Sequence, residues 1–506
     1  MEKVVEMRGI TKIFPTVIAN NDVDFSLYKG EIQALVGENG AGKTTLMSIL
    51  YGMNQPIDSG RIFINGKEER IYHPHVAINK GIGMVHQHFM LVPSFTVSEN
   101  IVLGHEKRKN GILLDKEEAI KITKEISKKH GFLVAPMARV QDLPLGIQQR
   151  IEILKLLYRG TDILILDEPT AVLTPQEIKE LFSTIRSLVS EGRSIVFITH
   201  KLPEVMAISD RVTVMRKGRI TGVLETKKTT MKEIAKLMVG REVLFQVEKE
   251  EPHFKGVVLE LNNIKALSDR ILLAVNGVSL KVQAGEILGI AGIEGNGQTE
   301  LAEVVTGLRP LVSGEIIFQS KNINKASPRQ RREMGIAHIP EDRLKTGISI
   351  DATIQDNLVM GAHYKKPLAR GIHRYLRQTK DYAEKLINEY DIRTANQNLP
   401  TISLSGGNLQ RLVIAREFSF DSKLLIISQP TRGIDIGSIE FLHEKILSMR
   451  DKGNAILLIS ADLDEIYALS DRIAVMYEGE MVGEFHPDEI GREELGLYMT
   501  GAKREN

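Results

Sequence analysis

The sequence predicts an α/β fold built twice: two domains in tandem, each around a mostly parallel sheet. Three observations carry this expectation. The chain repeats itself at about half its length. Within each half, short β-branched runs alternate with helical patterns, the signature of strands joined by helical crossovers. A glycine cluster, Gly37 to Thr44, stands between a strand pattern and a helix pattern.

The repeat is legible residue by residue. KGEIQALVGENGAGKTTL from Lys29 matches AGEILGIAGIEGNGQTEL from Ala284, with Gly37 and Gly292 255 apart. Ser59-Gly60 matches Ser313-Gly314 at 254. SDRVTVMRKGRI from Ser209 matches SDRIAVMYEGEM from Ser470 at 261, and the glycines Gly240 and Gly501 keep that spacing. The drift from 254 to 261 implies seven extra residues in the middle of the second half, where insertions fall in loops. The charged, proline-bearing stretch Arg241 to Lys255 reads as the seam. Residues 1–243 and 257–506 are therefore expected as domains, with 244–256 as linker. A chain of 506 residues exceeds the size at which one core stops growing.

In chain order, Ile32 to Val36 reads as a strand entering a glycine turn, then a helix near Thr44 to Tyr51. Phe89 to Tyr158 is richer in helical pattern and is expected as a helical insertion. Ile163 to Leu166 is a buried strand. Pro175 to Ser190 is a helix, with Thr174 as its N-cap and proline in its first turn. Ser194 to Thr199 is another strand, and the strand pattern restarts at Val257.

Composition narrows the function. Lys+Arg number 66 against 65 Asp+Glu, a net charge of +1, which argues against a nucleic-acid binder. No apolar run approaches a membrane span. The charged start MEKVVEMRGITKIF has no apolar signal core, so a cytoplasmic placement is expected. With no cysteine, disulfides, thiolate metal sites and cysteine nucleophiles are excluded.

GENGAGKT, Gly37 to Thr44, has the spacing and context of a P-loop. Its glycines let backbone N–H groups curl around phosphate oxygens, and the following helix offers its N-terminal dipole. Lys43 reaches the β- and γ-phosphates, and the Thr44 hydroxyl ligates Mg²⁺. ILILDEPT, Ile163 to Thr170, ends an apolar strand in two carboxylates at the edge where α/β sites form. Asp167 is expected to hold Mg²⁺ and Glu168 to polarise the attacking water. His200 ends the strand Ser194 to Thr199 as a γ-phosphate contact. Gln87 could join Mg²⁺ or water to the phosphate, and Phe14 could stack on adenine or simply fill the core.

These elements, in this order, resemble an ABC-type ATPase, and the resemblance covers essentially the whole chain as two P-loop NTPase domains. It implies a β subdomain and a helical subdomain beside each core sheet. It also implies a Walker A at Gly37 to Thr44, a Q-loop at Gln87, a Walker B at Ile163 to Asp167 with catalytic Glu168, and an H-loop at His200. Gly37, Glu38, Asn39, Gly40, Ala41, Gly42, Lys43, Thr44 and Thr45 would line ATP with Phe14. LSGGN, Leu404 to Asn408, looks like the family's signature, which puts Ser405, Gly406 and Gly407 on ATP as well.

The departures all point one way. The second P-loop, from Gly292 to Gly297, carries Gln298 for Lys43, while Thr299 matches Thr44. SQPT replaces DEPT, so Ser428 stands for the metal carboxylate and Gln429 for the catalytic glutamate. Glu341 aligns with Gln87, and Ser460 is aligned with His200. In the first half, LPLGI (Leu143 to Ile147) replaces the signature, with Pro144 for serine and Leu145 for the first glycine. ABC domains pair head to tail, so the intact P-loop would meet the intact signature, and the losses would gather in one degenerate site. The resemblance implies ATP and Mg²⁺ as cofactors, two transmembrane permease subunits docked after Gln87 and Glu341, and an extracellular solute-binding lipoprotein. The chain would then be peripheral on the cytoplasmic side of the cell membrane.

Within the family, the chain looks closest to the fused ATPases of bacterial sugar and nucleoside importers. Gly81 to Gly104 and Leu143 to Gly160 resemble the nucleoside-uptake branch. A soluble tandem ABC ATPase acting on ribosomes or RNA is the alternative, but its long charged linker and basic surface are missing here. The duplicated layout and LSGGN speak against a P-loop kinase or GTPase.

Overall fold

The computed structural model describes residues 2–15, 17–54, 57–86, 89–109, 113–170, 173, 175–241, 249–293, 295–371, 373–432, 434 and 436–504. The chain divides into two compact units, Met1–Val243 and Leu244–Asn506.

In the first unit a six-stranded sheet runs in the order Arg219–Glu225, Arg211–Arg216, Ile32–Gly37, Ser194–Ile198, Ile163–Asp167, Ile82–Val85. All neighbours are parallel except the edge pair Arg219–Glu225 with Arg211–Arg216. The central strands are buried at every residue. Parallel strands covered on both faces need apolar side chains at successive positions, which is why their sequences run rather than alternate.

The two faces serve different cores. Val196 and Ile198 pack with Leu46, Ile49 and Leu50 of the helix Lys43–Leu50, and with Val5, Met7 and Phe25 of a four-stranded antiparallel sheet. Ile195 and Phe197 pack on the opposite face with Ile151 and Leu154 of the helix Leu145–Tyr158, and with Leu181 and Ile185 of the helix Pro175–Ser190. The expected β subdomain is that antiparallel sheet, ordered Val17–Tyr28, Lys3–Phe14, Ser59–Ile64, Lys67–Glu69.

The helical insertion contains Val97–Val102, Lys116–His130 and Leu145–Tyr158. Its boundaries are written in side chains. Thr96 and Glu99 form a capping box, and Asp115 caps the second helix, which is acidic in its first turn and basic in its last. Both arrangements satisfy orphan N–H groups and complement the helix dipole. The helix expected near Thr44 to Tyr51 runs Lys43–Leu50. The strand expected to stop at Leu166 continues to Asp167. Thr174, the expected N-cap, lies outside the described residues.

The second unit repeats the order: Glu480–Phe485, Arg472–Tyr477, Ile287–Ala291, Ala455–Ser460, Leu424–Ser428, Ile336–Ile339. The extra residues prove to be divided. The strands Ile82–Val85 and Ile336–Ile339 correspond at 254, the helices Val97–Val102 and Ile354–Val359 at 257, and the strands Ile163–Asp167 and Leu424–Ser428 at 261. Three extra residues therefore sit between Ile339 and Ile354, where a π-helical turn Arg343–Gly347 forms. The other four sit between Val359 and Leu424. Residues 249 and 250 of the seam are fastened to this unit. Lys249 pairs with Asp471 at 2.8 Å, and the fully buried Arg450 pairs with Asp471 at 3.1 Å and donates to the Glu250 carbonyl at 3.0 Å. A guanidinium this deep is tolerated because its donors are met.

Candidate active site

The first unit brings its motif residues together at the C-terminal ends of three neighbouring strands. Ile32–Gly37 delivers the glycine loop, Ile163–Asp167 the two carboxylates and Ser194–Ile198 the histidine. In the loop, Gly42 precedes the helix at φ 98°, and a Cβ there would lie 2.2 Å from the Ala19 carbonyl oxygen. No side chain fits, and the left-handed backbone turns the following N–H groups inward. Lys43 Nζ donates to the carbonyls of Gly37 at 2.8 Å and Glu38 at 3.0 Å. It is thereby held across the loop by these two carbonyls. Burial pulls the Lys43 pKa down, and the carboxylates of Glu168, Asp167 and Glu38 oppose that shift.

Asp167 is buried, and burial pushes its pKa from 3.8 to about 6. The Thr44 hydroxyl donating to it and the Lys43 charge only partly offset that rise, and Glu168 adds to it. A buried carboxylate so weakly compensated beside a P-loop threonine is the donor set that suits a hard divalent cation, so Thr44 and Asp167 fit Mg²⁺. Glu168 follows the strand at φ 48°, and its N–H is anchored on the Ile198 carbonyl at 3.0 Å. That strained bend turns its side chain toward His200, whose Nδ1 lies 3.0 Å from Glu168 Oε1. Burial alone would raise the Glu168 pKa; the His200 hydrogen bond and the charges of His200, Lys43 and Lys201 outweigh it, and the net shift is downward. Glu168 is thus ionised at neutral pH, as a water-orienting carboxylate must be.

Phe14 ends its strand 36% exposed, with Lys12 Nζ 5.4 Å from its ring centre. It is open to a stacking partner and is not core. Gln87 lies outside the described residues.

In the second unit the backbone of the site is retained and the chemistry is not. Gly297 has φ 101°, with the Ala274 carbonyl oxygen 2.1 Å from any Cβ. Gln298 Nε2 donates to the Ile293 carbonyl at 3.0 Å, bridging the loop as Lys43 does but without charge. Gln429 keeps the left-handed bend at φ 47°, with its N–H on the Ile459 carbonyl at 2.7 Å. Ser428 replaces Asp167 and is buried, its Oγ making no hydrogen bond among the described residues.

One sequence correspondence is corrected. The strands Ser194–Ile198 and Ala455–Ser460 register so that Ile198 matches Ile459. Ser460 therefore stands for Thr199, and its Oγ accepts from the Asp462 N–H at 3.0 Å as Thr199 Oγ1 accepts from the Lys201 N–H at 3.0 Å. The residue in the place of His200 is Ala461, whose N–H donates to Gln429 Oε1 at 3.1 Å. Aligning Ser460 with His200 takes an offset of 260, one residue short of the 261 that the two strands keep here.

Ser405 is the N-cap residue of the helix Gly406–Phe418, its Oγ accepting from Asn408 Nδ2 at 2.9 Å. Pro144 holds the same place before Leu145–Tyr158. Both segments start a helix at one register, so the altered signature costs chemistry and not fold.

Three supports escaped the sequence reading. Glu204 is buried and accepts from Thr170 Oγ1 at 2.6 Å and Thr199 Oγ1 at 2.9 Å, bracing the acidic strand end against the histidine strand. Gln149 donates to the Pro169 carbonyl and Gln410 to the Pro430 carbonyl, tying each signature helix to the loop after the acidic strand. Arg432 pairs with Glu341 in the second unit. The repeated QR of IQQR and LQRL was a signal for the glutamines. No pattern marked Glu204, whose partners lie on other elements.

A family model described as ABC transporter matches residues 20–171 and 275–432. The chain is 48% identical over 500 residues to the nucleoside import ATP-binding protein NupA of Lactococcus lactis subsp. cremoris, covering 99% of this chain and 98% of that protein. It is 48% identical over 502 residues to the guanosine import ATP-binding protein NupO of Bacillus subtilis, with the same coverage of 99% and 98%. It is 37% identical to the ribose import ATP-binding protein RbsA 1 of Streptomyces avermitilis, covering 98% and 93%. Among solved structures, one described as RNase-L Inhibitor aligns with a TM-score of 0.64 at 18% identity, covering 98% of this chain and 93% of that one. That likeness concerns fold alone.

Proposed function

We propose, on the premise that this chain is an ATPase belonging to the ABC transporter family, that it energises the uptake of nucleosides across a cell membrane. The observation that carries this reading is the 48% identity, along essentially the whole chain, to both a nucleoside and a guanosine import protein. A simple sugar such as ribose is the second reading, favoured by the ribose import relative at 37%. No helix among the described residues is long and apolar enough to cross a membrane. By analogy with the import relatives, the chain would work from the cytoplasmic side, against two transmembrane permease subunits and with an extracellular solute-binding protein delivering the solute. Residues 1–243 and 257–506 act as two ATP-binding domains joined by 244–256.

The chemistry assigned to the first unit follows from its side chains. Lys43 and the loop N–H groups bind the phosphates, with Phe14 against the base. Mg²⁺, held by Thr44 and Asp167 with Gln87, would neutralise phosphate charge when bound. Glu168, ionised and aimed by its strained backbone, orients water for in-line attack, and His200 holds Glu168 and donates toward the γ-phosphate. The head-to-tail pairing that the family resemblance implies would add Ser405, Gly406 and Gly407 to this ATP site and set Leu143 to Ile147 against the P-loop that carries Gln298.

Two experiments test the proposal. ATPase activity of the chain reconstituted with its permeases should rise with nucleosides more than with ribose or galactose; stimulation by sugars alone would reassign the solute. Ser405→Arg should suppress hydrolysis at least about tenfold more than Pro144→Arg, both variants being checked by thermal melting. If Pro144→Arg is the more damaging, the crossed pairing is wrong.

A further inference from the structure

We propose that the second P-loop is a nucleotide site that takes its phosphates without a divalent cation, the Arg432 guanidinium supplying the positive charge. The proposal rests on reading the chain as a tandem ATPase whose metal-dependent site lies in the first unit.

The left-handed glycines of the phosphate cradle are kept. Gly297 keeps the left-handed turn before the helix Gln298–Thr306, and the Gln298 amide holds the loop closed on the Ile293 carbonyl. The buried metal carboxylate has been lost, and the carboxylate that remains at the P-loop threonine is taken up by a guanidinium. Ser428 has replaced the buried carboxylate, and its hydroxyl is buried with no hydrogen bond among the described residues. The Thr299 hydroxyl, in the place of a metal ligand, instead donates to Glu341 Oε2 at 2.9 Å. The other oxygen of that carboxylate meets Arg432 Nη1 at 2.5 Å. The guanidinium is thus one carboxylate away from the P-loop threonine, and it pairs with the acid that accepts from that threonine. Arg343 donates to the Arg432 carbonyl at 2.8 Å, bringing a second guanidinium to the same loop. Its neighbour Asp342 turns its carboxylate to the N–H groups of Leu344 and Lys345, each at 3.0 Å.

The charge balance explains the exchange. Gln298 brings no charge to the phosphates, so a nucleotide here needs a cation from elsewhere. A guanidinium is permanently charged and offers a planar fork of donors that matches phosphate oxygens. The first unit has Ala171 where the second has Arg432, in keeping with a site that keeps its lysine and metal.

The test is equilibrium binding of a fluorescent ADP analogue to the full-length chain, with Mg²⁺ and with EDTA. Two nucleotides should bind with Mg²⁺ and one should remain in EDTA. The retained nucleotide should survive Lys43→Ala. It should be weakened at least about tenfold by Arg432→Ala, less by Arg432→Lys, and left unchanged or tightened by Glu341→Gln. Unaltered Mg²⁺-dependent binding at the first site shows that these variants fold. The proposal is overturned if EDTA strips both nucleotides, if Lys43→Ala removes the resistant one, if Arg432→Ala binds as wild type, or if Glu341→Gln abolishes binding. Failure of the underlying reading looks different: no Mg²⁺-dependent, Lys43-dependent nucleotide would be found at all.

Discussion

The two P-loops of this chain share their left-handed glycines and differ in the side chains they carry. Both place a left-handed glycine before the helix, and both bend the chain through a left-handed residue after the acidic-position strand. The first spends that geometry on Lys43, Asp167, Glu168 and His200; the second presents Gln298, Ser428, Gln429 and Ala461. The difference teaches that the strained bend is kept by the fold. Its N–H is anchored on the neighbouring strand in both units, on Ile198 and on Ile459, whether or not the residue there can do chemistry.

The sharpest way to break this comparison is Glu168→Gln, which makes the first site like the second at the residue we propose orients water. Turnover should fall about 10²–10⁴-fold with ATP still bound; hydrolysis within about threefold of wild type would remove Glu168 from that role. Next comes the loop residue. Lys43→Ala should weaken ATP binding roughly 10–100-fold, the worth of a charged hydrogen bond, whereas Gln298→Ala should leave turnover nearly unchanged. Equal losses would end the asymmetry.

A smaller effect is expected in stability against pH. Asp167 has its pKa raised from 3.8 to about 6 by burial. Between those values the folded chain binds more protons than the unfolded one. Stability of the nucleotide-free, metal-free protein should therefore fall as pH rises from about 4 to about 6 and stay lower above. Asp167→Asn should remove that dependence and stabilise the first unit at pH 7 by roughly 1–3 kcal/mol, read as a melting shift of a few degrees. Ser428→Ala, deleting a buried hydroxyl that makes no hydrogen bond among the described residues, should change stability by under about 1 kcal/mol. The finest contrast is in the braces. Glu204→Gln keeps one of the two oxygens that accept from Thr170 and Thr199 and replaces the other with a donor, which should cost about 1–2 kcal/mol. Glu465, its counterpart, makes no hydrogen bond among the described residues and has only His443 at 3.5 Å, so Glu465→Gln should cost less in the same melting experiment.

Much of this molecule is written locally. The buried strands announce themselves as apolar runs because both faces are covered, and the P-loop announces itself because only glycine fits its turns. The duplication, Lys43, Asp167, Glu168 and the loss of lysine at Gln298 are facts of sequence order and needed no coordinates. What only the tertiary structure decided depends on contacts between elements far apart in the chain. Ser460 corresponds to Thr199, and Ala461 to His200, because Ile198 and Ile459 hold the same place in their sheets, each carbonyl accepting from the N–H that follows the neighbouring strand. Glu204 braces the site because packing of the helix Leu202–Ile208 brings it to two threonines on different strand ends. Arg432 meets Glu341 across 91 residues of sequence. A linear pattern carries spacing along one element, whereas these placements are set by sheet order and helix packing, where the free energy of burial and charge pairing is gained.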